Sequence, residues 1–108
     1  MMAAALEDFK KIELKTAEIL DVQEIPGADK LWKLTIDVGT EKKEIVAGIK
    51  AHYSRESLIG KSIVVVNNLA PAVIRGVESK GMLLAAKHAD RLTLLSPDQK
   101  LPPGSPVS

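Results

Sequence analysis

The sequence predicts an all-β fold, a small five-stranded Greek-key barrel with one short helix between its third and fourth strands. Three observations carry this expectation. The apolar residues come in short runs rich in Val, Ile and Leu, bounded by Gly, Pro, Asn or Asp, which is the pattern of strands rather than helices. A compact helical signal, Ser54 to Gly60, follows three such runs and precedes two more. The longest polar interruption, Asn67 to Lys80, falls between the fourth run and the fifth.

In chain order, Ala3 to Lys11 reads as a short helix, with Leu6, Phe9 and Lys10 at three- and four-residue spacing packing one edge down. From Glu13 the pattern changes: Leu14, Ala17, Ile19 and Val22 among polar residues fit a long, bent strand. Pro26 and Gly27 break it after Ile25. Leu31 to Asp37 then alternates, with Trp32, Leu34 and Ile36 on one face and Leu31, Lys33, Thr35 and Asp37 on the other, as a half-buried strand does. Gly39 to Lys42 supplies a turn, and Glu44 to Ala47 is the hairpin partner. Ser54 is placed to cap the helix that follows, and Gly60 to end it in the left-handed conformation. Lys61 to Val66 is the fourth strand, its core Ile63 to Val66 β-branched and buried on both faces. Gly81 to Ala86 is the fifth, and Arg91 to Leu95 a short sixth before a Pro-rich tail.

This order of elements is that of an OB-fold, whose second and third strands and whose 1-2 and 4-5 loops form an oligonucleotide-binding face. The two loops are here Pro26 to Lys30 and Asn67 to Lys80. The second carries Asn67, Asn68, Arg75, Glu78, Ser79 and Lys80, with Pro71 and Gly76 fixing its turns, so polar groups are held at the rim of a rigid scaffold.

Length and composition suit one domain spanning 1–108, with 45% hydrophobic residues and no run long enough to span a bilayer. No secretory leader is recognisable and there is no cysteine, so disulfides and Cys-ligated zinc are excluded and a cytoplasmic location is expected. Fifteen basic residues face fourteen acidic ones, for a net charge of +1, well short of an obvious nucleic-acid binder. By segment the charge is uneven: residues 1–44 carry seven basic and ten acidic side chains, residues 45–95 seven basic and three acidic. The positive half contains the 4-5 loop. Gly60-Lys61-Ser62 matches the end of a phosphate-binding loop, but the glycine required five positions earlier is Arg55. His52 and His88 stand alone, and no Ser sits in a nucleophile elbow; catalysis, a metal and a cofactor are not expected.

Asn68-Leu69 followed by Pro71, then Arg75-Gly76-Val77-Glu78-Ser79 and Gly81-Met82-Leu83-Leu84-Ala85-Ala86, closely resembles the tRNA-binding domain appended to methionyl-tRNA synthetases. The same domain occurs as free-standing bacterial tRNA-binding proteins and as endothelial-monocyte-activating polypeptide-like modules. Upstream, the likeness takes in Ala28-Asp29-Lys30-Leu31 after Pro26, Val46 and Gly48, and Leu58-Ile59-Gly60-Lys61, and it spans residues 9–107. The chain departs from the pattern at Glu13-Leu14-Lys15-Thr16-Ala17, where the family commonly reads Asp-Leu-Arg-Val-Gly, and at Ile25, often His. It departs also at Ala72 and Val73, where relatives frequently carry basic residues.

The resemblance implies binding of tRNA by shape, without catalysis, as an affinity element for an aminoacyl-tRNA synthetase or as a free-standing protein. Phosphate neutralisation gives affinity that is independent of sequence and falls with salt, so a nearly neutral domain is expected to bind weakly. RNA contacts are expected from Lys30, Trp32, Lys33, Asn68, Arg75, Ser79, Lys80 and Met82. Each has a plainer reading. Trp32 shares a face with Leu34 and Ile36 and suits the core as well as a stacking platform; Asn68 and Ser79 suit backbone hydrogen bonds in a loop; Met82 suits the core. The lysines and Arg75 suit an ordinary solvated surface, and Glu78 suits a loop amide or a nearby Lys. With Phe9, Trp32 and Tyr53 as the whole aromatic complement, stacking is limited, which favours folded RNA over a long single strand.

Two other functions stay open: a dimerisation module whose RNA binding has faded, and a small dimeric export-related chaperone. A homodimer is expected in each case, because Leu92, Leu94, Leu95, Leu101 and Val107 follow the fifth strand as surplus apolar surface, with Leu6 and Phe9 at the other end of the chain. Cover of the barrel's open end by the same tail is the intramolecular alternative.

Overall fold

The computed structural model describes residues 2–108. Leu14–Glu24 forms β1, an 11-residue strand around which the others are arranged. Its first half pairs antiparallel with β4 (Ser62–Val66) and its second half with β2 (Trp32–Asp37), and the register shifts between Ile19 and Asp21. That extra residue is a bulge, which bends the strand and lets it serve two neighbours. Lys42–Ala47 forms β3 and pairs with β2, so the sheet runs β3-β2-β1-β4. A fourth strand returning beside the first after a three-stranded meander is a Greek key. The curled sheet closes where β3 meets the chain after the 4-5 connection: Lys80 N donates to Glu44 O at 2.9 Å and Val46 N to Ser79 Oγ at 2.9 Å.

Alternation supplies the core. On β2 the buried positions are Trp32, Leu34 and Ile36, as the period-2 pattern predicts, and Ala17, Ile19 and Val22 face them from β1, with Ile45 from β3 and Ile63 and Val65 from β4. A fully buried Ile or Leu contributes about 1.5–3 kcal/mol, so this cluster dominates stability. The helix α2 (Arg55–Leu58) plugs the barrel with Leu58. Ser54 Oγ accepts from Ser57 N at 3.2 Å at its start, and Gly60 follows its end at φ +85°. The architecture is the all-β OB-like fold expected.

Four local expectations are corrected. The N-terminal helix α1 is only Leu6–Phe9, a single turn, and buries none of its residues; Leu6 is 66% exposed. The stretch 67–80 is not an open loop: Ala72–Ile74 (β5) and Val77–Ser79 (β6) pair as a hairpin. The fifth strand is broken into β7 (Met82–Leu83), which pairs with β4, and β8 (Ala85–His88), which leaves the sheet to pair with β9 (Arg91–Leu94). Leu94 is 6% exposed and Leu92 packs on the core, so both serve the barrel of their own chain.

The tail is also held within the chain. Pro106–Val107 (β10) pairs with the start of β1, placing Val107 opposite Leu14. Thr16 holds it with four bonds: its N donates to Ser105 O (2.9 Å), its O accepts from Gly104 N (2.8 Å), and its Oγ1 donates to Pro102 O (3.1 Å) and accepts from Ser105 N (3.0 Å). The intramolecular reading of the tail therefore holds for Val107, while Leu95 and Leu101 stay exposed. Among the described residues no helix is long and apolar enough to cross a membrane.

Candidate nucleic-acid interface

The 1-2 connection is a tight turn with a buried floor. Ala28 N donates to Ile25 O at 3.0 Å and Leu31 N to Ala28 O at 3.3 Å, and Ile25 and Ala28 are buried. With those side chains turned inward, Asp29 and Lys30 face solvent. Opposite stands the β5–β6 hairpin. Its register pairs Ile74 with Val77, leaving Arg75 and Gly76 as a two-residue turn with φ +53° and +80°. Positive φ at both positions is the type I′ geometry whose twist matches the flanking strands. The two connections enclose a cleft of about 420 Å³ lined by Gly27, Ala28, Asp29, Lys30, Leu31 and Arg75. Lys30 and Arg75, far apart in sequence, thus meet at one opening, and neither has an ion-pair partner among the described residues.

Lys33 and Lys80 are held in salt bridges, Lys33 with Glu44 and Lys80 with Glu78, each at 3.5 Å. Exposed pairs of this kind contribute about 0–1 kcal/mol, so an incoming phosphate competes readily for either lysine. Glu78 takes the part expected of it, as partner to a nearby lysine.

Three expected contacts are placed elsewhere. Trp32 is 7% exposed; its Nε1 donates to Tyr53 O at 2.9 Å and Lys50 Nζ sits 4.8 Å from the ring centroid, so the indole is packed into the core rather than displayed as a platform. The alternation with Leu34 and Ile36 decides for the core. Ser79 is buried, its Oγ donating to Gly81 O at 3.1 Å while accepting from Val46 N. Asn68 is exposed but committed: Oδ1 accepts from Glu13 N at 2.8 Å and Nδ2 donates to Lys11 O at 2.7 Å. Its neighbour Asn67 donates from Nδ2 to Glu13 Oε1 at 2.6 Å, and that bond, aided by Lys15 and Lys43, holds the Glu13 carboxyl below its usual range. The two asparagines thus tie the N-terminal segment to the base of the hairpin. Met82, by contrast, is 48% exposed and borders a groove of about 300 Å³ with Leu69, Ala72 and Ile74.

Sequence reasoning missed the Asn67–Glu13 join and Lys43, whose Nζ donates to Asn67 O at 2.9 Å. No local pattern signals a bond between residues so far apart. The hairpin did leave a signal, a Gly-containing pair between β-branched Val73-Ile74 and Val77.

The family model described as "Putative tRNA binding domain" matches residues 14–106. The chain belongs to this tRNA-binding domain family. It is 52% identical over 106 residues to the methionine–tRNA ligase of Thermotoga maritima, an alignment covering 98% of the chain and 17% of the ligase. The chain therefore spans about a sixth of that relative. Among solved structures it is similar to a MetRS-related protein from Pyrococcus horikoshii, at 34% identity and a TM-score of 0.93, with each chain covered in full. It also resembles the chaperone CsaA from Bacillus anthracis, at 32% identity and a TM-score of 0.90, over 99% of this chain and 100% of that one. Both matches span the elements that build the Lys30–Arg75 cleft.

Proposed function

We propose that this chain binds tRNA through its phosphates and overall shape, without regard to sequence and without catalysis, using the cleft between the 1-2 turn and the β5–β6 hairpin. The observation that carries the reading is the meeting of Lys30 and Arg75, two unpaired cations, on the loops an OB-fold uses for oligonucleotides. Lys33 and Lys80 are taken as further contacts, and Met82 lies in the separate groove with Ala72 and Ile74. The domain acts in the cytoplasm as one unit over 1–108, as a homodimer, in the service of a methionyl-tRNA synthetase or on its own. The ligase relatives support the first arrangement and the full-length match to the Pyrococcus protein supports the second.

Replacing Arg75 and Lys80 together by Glu is expected to weaken binding to several different tRNAs alike, since phosphate contacts carry no sequence information. The double Ala variant is expected to flatten the plot of log affinity against log salt by about 1 for each phosphate no longer neutralised. Gel shifts at a series of salt concentrations measure both, and unchanged affinity and slope would remove the assignment.

The groove beside Met82 favours one second reading, a chaperone that takes apolar peptide segments. Ala72 in place of a basic residue lines it, and the CsaA likeness points the same way. If this reading holds, an apolar peptide displaces no tRNA from Arg75 but loses affinity for Met82→Asp.

A further inference from the structure

The β8–β9 hairpin lies outside the cleft, and its chemistry is unaccounted for by the barrel. Its inner face is committed to the fold: Leu94 is buried, Leu92 packs on the core, and Leu94 N donates to Tyr53 Oη at 3.0 Å. Two further bonds, Val64 N to Leu95 O at 3.2 Å and Leu95 N to Leu84 O at 3.1 Å, fix its base. The ribbon is thus a rigid support. Its register sets His88 opposite Arg91 and Ala86 opposite Thr93, and the burial of Leu94 turns these four to the solvent side. Directly opposed residues on one face lie with Cβ atoms about 4.5–5.5 Å apart, so the imidazole and the guanidinium converge. Lys87, paired with Leu92, belongs to the other face of the ribbon and is itself exposed. Between these groups is a concavity of about 210 Å³ lined by Ala86, Lys87, His88, Arg91, Leu92 and Thr93.

The cations here are unspent. Like Lys30 and Arg75 at the cleft, Lys87 and Arg91 have no carboxylate within salt-bridge distance among the described residues. Asp90, in the turn between His88 and Arg91, is the carboxylate nearest in sequence and forms no ion pair among the described residues. Nothing in the fold requires the two cations there. The turn adds a second sign: Ala89 is held at φ +53°, a conformation that suits Gly or Asn, and strain of this kind collects at sites that bind.

We infer that the β8–β9 hairpin is a second phosphate-binding ribbon, in which Lys87, His88 and Arg91 grip the backbone of the same RNA held at the Lys30–Arg75 cleft. The inference rests on the tRNA reading above. It gives a domain of net charge +1 two separate cationic contacts instead of one, each made of residues that form no ion pair among the described residues. Arg91 supplies a fork that matches phosphate oxygens, Lys87 a point charge, and His88 a ring N–H.

The test uses the intact chain with Lys87→Ala/Arg91→Ala, and in parallel Arg75→Ala, titrated with tRNA across a salt series. The ribbon variant is expected to melt like the parent and to lower the log–log salt slope by about 2, one for each cation removed. An unchanged slope with the fold intact overturns the inference. Weakened binding with Arg75→Ala but not with the ribbon variant leaves the cleft standing and the ribbon refuted; weakened binding with the ribbon variant alone refutes the cleft and leaves the ribbon. Inorganic phosphate, followed through the amide resonances of residues 86–93, separates the sources. Shifts with tRNA and none with phosphate at equal ionic strength identify a polyanion site, whereas saturation by free phosphate that blocks no tRNA overturns it.

Discussion

Arg75 occupies a conformation that its side chain disfavours. At φ +53° a residue with a Cβ sits about 1–2 kcal/mol above its right-handed alternatives, and glycine avoids that cost while giving up about 0.5–1 kcal/mol of chain entropy. The type I′ turn would therefore be better built with Gly or Asn, and an arginine there agrees with the RNA contact proposed for its guanidinium. Arg75→Gly is expected to stabilise the β5–β6 hairpin by about 0.5–1 kcal/mol, seen as slower amide exchange at Val73 and Ile74, and at the same time to weaken tRNA binding. A variant in which both quantities fall would mean that Arg75 supports the hairpin rather than the ligand. Trp32 shows the opposite assignment by the same kind of observation. Its indole N–H is satisfied by a backbone carbonyl and its ring is covered, so its place is explained by packing alone.

Among the elements, the tail strap is where conformation and packing are most tightly joined. Gly39 and Gly104 pass each other so closely that a Cβ on Gly104 would lie 2.4 Å from Val38 O, and Gly104 also has φ +85°. Gly104→Ala is thus expected to cost more than about 1 kcal/mol, read as a lowered thermal midpoint, whereas Ala at Gly27, which meets nothing within 4 Å, costs only its φ strain. The contrast between local and distant causes explains what could be read beforehand. The alternation of Trp32, Leu34 and Ile36, the Ser54 cap and the bent first strand were legible, because each is dictated by neighbours within a few residues. The tail was not, because its order comes from Thr16 at the far end of the chain, and the same holds for Asn68 and Glu13. The hairpin inside 67–80 was obscured because its turn is Arg-Gly rather than the Asn-Gly that marks such turns. Of the candidate site, Lys30 and Arg75 were named from the sequence, and what it withheld was their convergence across one cleft.

For the whole molecule, affinity has to be reconciled with a net charge of +1. Seven of the fifteen basic residues are held in ion pairs among the described residues, and a single cleft with two unpaired cations would give only weak attachment. A two-fold dimer changes this without any new contact, because two weak sites on one rigid body engage a large RNA together and the second contact is made at high effective concentration. The surface for such a dimer is exposed at the N-terminal segment, where Leu6, Phe9 and Ile12 are 66%, 43% and 45% accessible, and at Leu95 and Leu101. The join through Asn68 places that segment against the base of the β5–β6 hairpin, so pairing two copies would also steady the hairpin. Leu6→Glu with Phe9→Glu, which disturbs no buried residue of the single chain, is expected to convert a dimer at micromolar concentration into a folded monomer by light scattering. It is also expected to lower tRNA affinity about tenfold or more, ~1.4 kcal/mol, with the salt slope of each remaining site unchanged. A parent chain that scatters as a monomer would remove the premise, and a dissociated variant that kept its full affinity would show that each chain binds tRNA unaided.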